Sequence, residues 1–201
     1  MKIVLGSSSP RRQKILASLV DNFDINAPDV DETAHHRENP LDFTIRVSRD
    51  KARNVESFIS HTSNSVLIIT ADTIVTIGNR IMGKPVDFNE AHNFLGILSG
   101  RTHSVITSIT LLTNGMRRDM TPVMGTYSEI TGVTFKRLSD QDIDEYLYSI
   151  DYIDKAGAYA FQENGSRIIE HINGSMTNII GFPLRSFFIG LADLNMLTTL
   201  F

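Results

Sequence analysis

Ala71-Asp72-Thr73 sets one carboxylate inside an otherwise apolar run, Val66-Leu67-Ile68-Ile69-Thr70-Ala71-Asp72-Thr73-Ile74-Val75. An ionised carboxylate is costly to bury unless it is paired, hydrogen-bonded or bound to a cation. Asp72 therefore needs a partner, and a metal ion or a reacting group would serve. A capping or salt-bridging role accounts for the isolated residue equally well. Near the N-terminus, Gly6-Ser7-Ser8-Ser9-Pro10-Arg11-Arg12 gathers hydroxyls, the N–H groups of a helix start and two guanidinium groups. That combination suits an anion, because helix N-termini favour negative charge and arginine matches phosphate oxygens bidentately. A capped helix with solvated arginines is the plainer reading of the same residues.

Gly83-Lys84-Pro85 presents a lysine from a stiff loop, without the spacing of a Walker A motif. The acids of Asp29-Val30-Asp31-Glu32 and of Arg49-Asp50-Lys51 could join Asp72 around a hard divalent cation, which takes oxygen ligands. A solvated acidic loop is the ordinary meaning of such a stretch. Other chemistries are poorly served. The absence of cysteine removes thiolate nucleophiles, disulfides and cysteine-based zinc sites. Histidines 35, 36, 61, 92, 103 and 171 lack paired metal-ligand spacing; His35 and His36 read as loop residues and His103 as a strand residue. No Gly-x-Ser-x-Gly elbow is present.

The elements that position these residues follow from local pattern. Residues 1–5 read as a short buried strand, followed by a helix with Ser9 as N-cap, Pro10 first, and Ile15, Leu16 and Leu19 on one side. A second short strand and a loop are expected in residues 21–31. From Pro40 the spacing of Leu41, Ile45, Ser48, Ala52 and Val55 predicts a helix, with Arg46, Arg49, Lys51 and Arg53 between. The strand bearing Asp72 turns at Gly78-Asn79 into Arg80-Ile81-Met82. A helix marked by Ala91, Phe94, Leu95 and Leu98 ends at Ser99-Gly100. Residues 103–112 alternate as a strand, Asn114-Gly115 turns it, and residues 126–135 return. Ser139-Asp140-Gln141-Asp142 has capping-box character before Ile143, Tyr146, Leu147 and Ile150. A glycine-rich segment, residues 155–183, leads to a helix carrying Leu184, Phe187, Phe188 and Leu191. Helices and hairpins in this order give an α/β fold with a mixed sheet, not a βαβ repeat.

Composition sets wider bounds. The 201 residues, 41% hydrophobic and 21% charged, suit one domain over residues 1–201, or two small lobes sharing a core. A formal net charge of −4 argues against a nucleic-acid binder, which would show a broad basic surface. Ile3-Val4-Leu5 is too short for a signal sequence, and no apolar segment approaches the roughly 18 residues of a membrane span. A cytoplasmic protein without a membrane partner is expected.

Six blocks occur in order: Gly6-Ser7-Ser8-Ser9-Pro10-Arg11-Arg12, Ala71-Asp72-Thr73-Ile74-Val75, Gly83-Lys84-Pro85, Leu98-Ser99-Gly100-Arg101-Thr102-His103, Asp154-Lys155-Ala156-Gly157-Ala158-Tyr159 and Gly181-Phe182-Pro183. In this arrangement the whole chain resembles the Maf family of nucleoside triphosphate pyrophosphatases. The resemblance implies an elongated mixed sheet with flanking helices and two lobes around a cleft, related to the inosine triphosphate pyrophosphatases (Maf/Ham1). It implies cleavage of a nucleoside triphosphate to the monophosphate and pyrophosphate with a divalent cation, Mg²⁺ or Mn²⁺, and it suggests a homodimer. By motif, Asp72 matches the family's proton acceptor; with Glu32 it could hold the metal, accept the water proton, or do both. Ser7, Arg11, Arg12, Glu32, Lys51 and Lys84 match polar residues of the substrate and phosphate region, with Lys84 and Glu32 beside the catalytic centre. Arg11, Thr73 and Gln162 resemble the specificity marks of the branch acting on dTTP and UTP.

Three stretches depart from the family pattern. Gly6 stands for a usual alanine, Ala160-Phe161 for a usual Gly-Ile pair, and Ser175-Met176-Thr177-Asn178 is atypical. Phe161 and Met176 are expected near the base pocket. A non-catalytic nucleotide-binding regulator of cell division or septum formation would use the same cradle. The joint presence of Asp72, Glu32 and both lysines favours turnover over binding alone.

Overall fold

The computed structural model describes residues 1–59, 65–114 and 122–200. Gly115 of the expected turn and His61 lie outside the described residues. Among these residues a seven-stranded sheet is formed by β1 (Lys2–Gly6), β2 (Asp24–Ile25), β3 (Val66–Ile77), β4 (Arg80–Met82), β5 (Thr102–Asn114), β6 (Val123–Phe135) and β7 (Ile169–Asn173). The order is β2-β1-β3-β5-β6-β7, with β4 beside β3. β1 runs parallel to β2 and β3, and the remaining pairs are antiparallel. The helices are α1 (Pro10–Ala17), α2 (Pro40–Phe58), α3 (Phe88–Leu98), α4 (Asp140–Tyr148), α5 (Met176–Ile180), α6 (Leu184–Asp193) and α7 (Leu197–Leu200). The class is mixed α/β, as the element pattern implies. Among the described residues, no helix is long and apolar enough to cross a membrane.

Side chains alternate across a strand, so β3 serves two cores at once. Leu67, Ile69 and Ala71 pack with Leu16 of α1 and with Phe187 and Leu191 of α6. Val66, Ile68 and Ile74 face the opposite way, toward Ala52, Val55, Phe43 and Val47 of α2. The far ends of β3, β5 and β6 enter a separate cluster with α3 and α4, built around Val75, Leu95, Val133, Phe135 and Tyr146. Fully burying one aliphatic or aromatic side chain of this kind contributes about 1.5–3 kcal/mol. β3 and β5 thereby tie both groups of helices to one framework.

Local signals hold well. Gly78 (φ 58°) turns β3 into β4. Ser139 and Asp142 form a reciprocal capping box at α4. Three expectations need correction. The buried face of α2 is Phe43, Thr44, Val47, Ser48, Lys51, Ala52 and Val55, while Leu41 and Ile45 are only partly buried. The helix is rotated because it lies over a polar strip of the sheet. Thr44 Oγ1 is 2.7 Å from Ser108 Oγ, Ser48 Oγ is 2.9 Å from Thr110 Oγ1, and Thr70 Oγ1 donates to the Ser48 carbonyl at 2.6 Å. These pairs offset the burial of hydroxyls, and Lys51, one turn further on, continues the same face. At α1, Ser9 occupies the N-cap position but its side chain makes no capping bond; Ser7 Oγ instead accepts the Ser9 N–H at 3.2 Å. The glycine-rich segment contains β7 and α5, whose formation depends on pairing with β6 and docking on the sheet rather than on local pattern.

Candidate active site

The position of Asp72 follows from a gap in the sheet. β1 pairs with β3 as far as Gly6 opposite Thr70, and β4 resumes pairing on that edge at Val75 opposite Met82. Among the described residues no strand pairs 71–74 on that edge, whereas β5 pairs the other edge throughout. A cleft of about 510 Å³ opens at the gap, beyond the carboxyl end of β1 and beside the start of α1. Crevices of this kind, outside the carboxyl ends of parallel strands, are the usual ligand sites of open α/β sheets. Ser7, Arg11, Arg12, Glu32, Lys51, Asp72, Thr73, Lys84 and Gln162 all line it. The structure thus brings together the residues expected to act in catalysis, phosphate binding and specificity.

Asp72 and Thr73 point to opposite faces of β3. Asp72 is 5% exposed, and its Oδ1 accepts a hydrogen bond from Lys51 Nζ at 2.8 Å. Its Oδ2 is buried and has no hydrogen-bond partner among the described residues. Lys51 Nζ also lies 2.8 Å from Glu32 Oε1, so one buried ammonium bridges two carboxylates. Lys51 is therefore placed to hold the carboxylates as well as to meet an anion. Of the acids weighed from the sequence, Glu32 alone joins Asp72 in lining the cleft. Asp31 Oδ1 caps the Thr33 N–H, and Asp50 pairs with Arg46 and Arg53.

On the other face, Arg12 is held by three bonds. Its Nε donates to the Gly181 carbonyl at 2.8 Å, Nη1 to Ser7 Oγ at 3.2 Å, and Nη2 to Thr73 Oγ1 at 2.9 Å. Two of its five N–H donors remain for an anion. Gly181 adopts φ +99°, and a Cβ there would lie 3.0 Å from Thr73 Oγ1. The glycine is needed both for the backbone conformation and for the approach of Arg12. Burial pulls the Arg12 pKa below its ordinary value; Asp72 opposes this, Arg11 adds to it, and Glu32 opposes it again.

Arg11 Nη1 is 3.6 Å from Asp154 Oδ2, and Asp154 Oδ1 in turn meets Lys155 Nζ at 2.9 Å. Lys155 is buried, also approaches Glu163 Oε2 at 3.3 Å and donates to the Asp151 carbonyl. Lys84 and Gln162 are exposed residues of the cleft lining. For Glu32, partial burial pushes the carboxyl pKa up, but the charge and hydrogen bond of Lys51, with Lys84 and Arg12, outweigh it and leave the pKa lowered.

Asp72 and Glu32 also fit a divalent cation. Asp72 offers a buried oxygen with no other partner, and Mg²⁺ is commonly held by one or two carboxylates, with substrate phosphates and water completing its shell. Among the described residues no group of three or more His, Cys, Asp or Glu side chains could hold a metal by itself.

A family model described as "Maf-like protein" matches residues 2–194. The chain belongs to the Maf-like family. Among its relatives, a dTTP/UTP pyrophosphatase of Ruegeria sp. (strain TM1040) is 45% identical over 185 residues, covering 92% of this chain and 90% of that protein. A dTTP/UTP pyrophosphatase of Carboxydothermus hydrogenoformans is 38% identical, covering 92% and 94%. Among solved structures, the Ham1 protein of Staphylococcus aureus aligns with a TM-score of 0.40 at 15% identity, covering 94% of this chain and 98% of that one.

Within this Maf-like chain, the departures from the family pattern now have places. A Cβ at Gly6 would lie 2.5 Å from Thr70 Cγ2 and 2.9 Å from Val55 Cγ2, so the last residue of β1 is matched to its neighbours. Phe161 and Met176 do not line the cleft, contrary to expectation. Phe161 packs against the α3–α4 core, and Met176 is exposed at the start of α5; Ala160, Ile179 and Ile180 line the cleft instead. Sequence reasoning assigned no role to Asp154 and Lys155, although both lie in a matching block; an adjacent acid and base just before the Ala-Gly-Ala turn was the available signal. His103, on β5, is buried with Nε2 2.8 Å from Tyr159 OH, and burial pushes its pKa down to about 4. It braces the lining residue Tyr159 as a neutral imidazole.

Proposed function

We propose that this Maf-like chain hydrolyses dTTP and UTP to the monophosphate and pyrophosphate. The single observation that carries the reaction is the Asp72 carboxylate, fixed at Oδ1 by Lys51 and open at the buried Oδ2 within the cleft. The names and coverage of the relatives support the substrate class.

In this reading the triphosphate lies between the N-terminus of α1 and the loop of Lys84. Arg11, Arg12 and Lys84 meet the phosphate oxygens, because phosphoryl transfer is governed by positioning and by neutralisation of spread negative charge. Asp72 Oδ2 accepts a proton from the attacking water. The water oxygen bonds to the α-phosphorus, the bond from that phosphorus to the α–β bridging oxygen breaks, and pyrophosphate leaves with the bond electrons. Lys51 orients Asp72 for this role, and its charge lessens repulsion between the carboxylates and the polyanion. Glu32, with Asp72 where its Oδ2 is not taking the proton, would hold a divalent cation, which supplies further charge neutralisation on the phosphates. Thr73 contributes to substrate preference through Arg12, and Gln162, also in the lining, is available to the base.

The test is a panel of canonical and modified nucleoside triphosphates with Mg²⁺, scored for monophosphate and pyrophosphate. Turnover highest on dTTP and UTP is expected, with Asp72→Asn as control. Release of orthophosphate in place of pyrophosphate, or no turnover of any member, would overturn the assignment.

A further inference from the structure

Arg12 is oriented by a hydrogen-bond circuit that extends well beyond the cleft. Thr107 of β5 is fully buried and is not part of the cleft lining. Its Oγ1 lies 3.0 Å from the Asn178 backbone carbonyl, which can only accept, so the Thr107 proton is committed there. Thr107 Oγ1 is also 3.0 Å from Thr73 Oγ1, and with its own proton spent it must accept the proton of Thr73. Thr73 then has only lone pairs to offer Arg12 Nη2 at 2.9 Å. The chain of donors therefore has one direction, from Arg12 through Thr73 and Thr107 to Asn178. It closes on itself, because Arg12 Nε donates to the Gly181 carbonyl, three residues after Asn178 at the end of α5. The Asn178 side chain fixes α5 on the sheet, donating from Nδ2 to the Val105 carbonyl at 3.0 Å and to Thr131 Oγ1 at 2.8 Å.

We propose that Thr107 is a positioning residue for the triphosphate: by accepting the Thr73 proton it turns a Thr73 lone pair onto Arg12 and fixes the direction of the free guanidinium donors. A threonine after Asp72 thus acts on substrate through an arginine rather than by touching the base. This inference rests on the pyrophosphatase reading above. The Asn178 carbonyl also accepts the Gly181 N–H at 2.9 Å, so removal of the Thr107 hydroxyl leaves it satisfied and confines the disturbance to Thr73 and Arg12.

The experiment compares Thr107→Val, which removes the hydroxyl at nearly constant volume, with Thr107→Ser, which retains it. Steady-state kinetics on dTTP are combined with calorimetric binding of α,β-imido-dTTP, which requires no turnover. For Thr107→Val we expect about a fivefold rise in both KM and Kd with kcat little changed, the size of one ordinary hydrogen bond. Thr107→Ser should restore both values. In Thr73→Val the further change at Thr107 should have no effect, because Thr107 acts only through Thr73. Thr107→Ala removes the same hydroxyl without branching and serves if the valine variant does not fold. Wild-type turnover with unchanged KM and Kd in the hydroxyl-free variant overturns this inference alone. Absence of wild-type turnover and binding overturns the functional reading and the inference together.

Discussion

Two carboxylates share the Lys51 ammonium, and they stand on different supports. Asp72 lies on β3, paired along one edge with β5 and opposite Ser108, with its side chain 7% exposed. Glu32 lies on an irregular segment ahead of α2, with its side chain 47% exposed. Both sit 2.8 Å from the same nitrogen. The strand supplies position and a dry environment; the loop supplies charge that can adjust. A site that must hold a base rigidly and still admit a charged substrate can use one of each. Equal distances therefore conceal unequal energies, since an ion pair in low dielectric is strongly coupled and an exposed one is largely screened.

The sharpest way to break this comparison is to remove the shared cation. Lys51→Met leaves Asp72 buried without its partner, a situation that costs about 3–5 kcal/mol. Denaturant unfolding should show a loss of that order. A loss below about 1 kcal/mol would mean that Asp72 is effectively solvated and that the strand end of the pair is no different from the loop end.

Asp72→Asn asks the complementary question. Lys51 keeps Glu32, so no charge is stranded and the variant should fold normally. Turnover should nonetheless fall by at least ~10²-fold, the low end for a lost general base. Near-normal turnover from a folded protein would remove Asp72 from the chemistry. Glu32→Gln should behave as the mirror image in stability. Its ion pair is nearly half exposed, so unfolding should shift by no more than about 1 kcal/mol. Equal destabilisation by Glu32→Gln and Lys51→Met would erase the distinction between the two supports.

The same contrast explains what was legible in the sequence. The β3–β4 hairpin, the Gly100 helix stop and the Ser139 capping box are set by neighbours within a few residues, and the chain displays them directly. Asp72 stood out because it interrupts an apolar strand. The rotation of α2 was not legible: Thr44 and Ser48 face inward only because Ser108 and Thr110, more than sixty positions away, offer hydroxyls. β7 and α5 were hidden for a related reason, as short segments that become ordered against β6 and β5. The circuit from Arg12 to Asn178 joins four elements through single hydroxyls, and no local spacing encodes it. The family resemblance carried by the ordered blocks pointed to the cleft: the residues it assigned to catalysis, phosphate binding and specificity all line it, whereas Phe161 and Met176, expected near the base pocket, do not.

The smallest predicted effect concerns how the loop end is held. Arg46 Nε and Nη2 grip Glu38 Oε1 and Oε2 at 2.7 and 2.8 Å, and Nη2 also donates to the Thr33 carbonyl at 3.0 Å. The guanidinium sits 5.3 Å from the Phe43 ring centroid, so α2 clamps the segment that begins at Glu32. The Arg46 hydrogen bonds are the main cause that lowers the Glu38 pKa, against a smaller rise from burial and with help from the His35 N–H, from 4.5 to about 2. A carboxyl whose pKa is lowered by folding stabilises the folded state at pH above its unfolded value. That contribution is lost as pH falls from about 4.5 through about 2. NMR titration should give a Glu38 midpoint near the lower value, and slowed hydrogen exchange at the His35 amide should fade over the same interval. Glu38→Gln should abolish that pH dependence while leaving the Lys51–Asp72 pair intact, since no bond connects the two directly. An ordinary Glu38 midpoint would show that the clamp does not hold the loop, and that Glu32 is positioned by Lys51 alone.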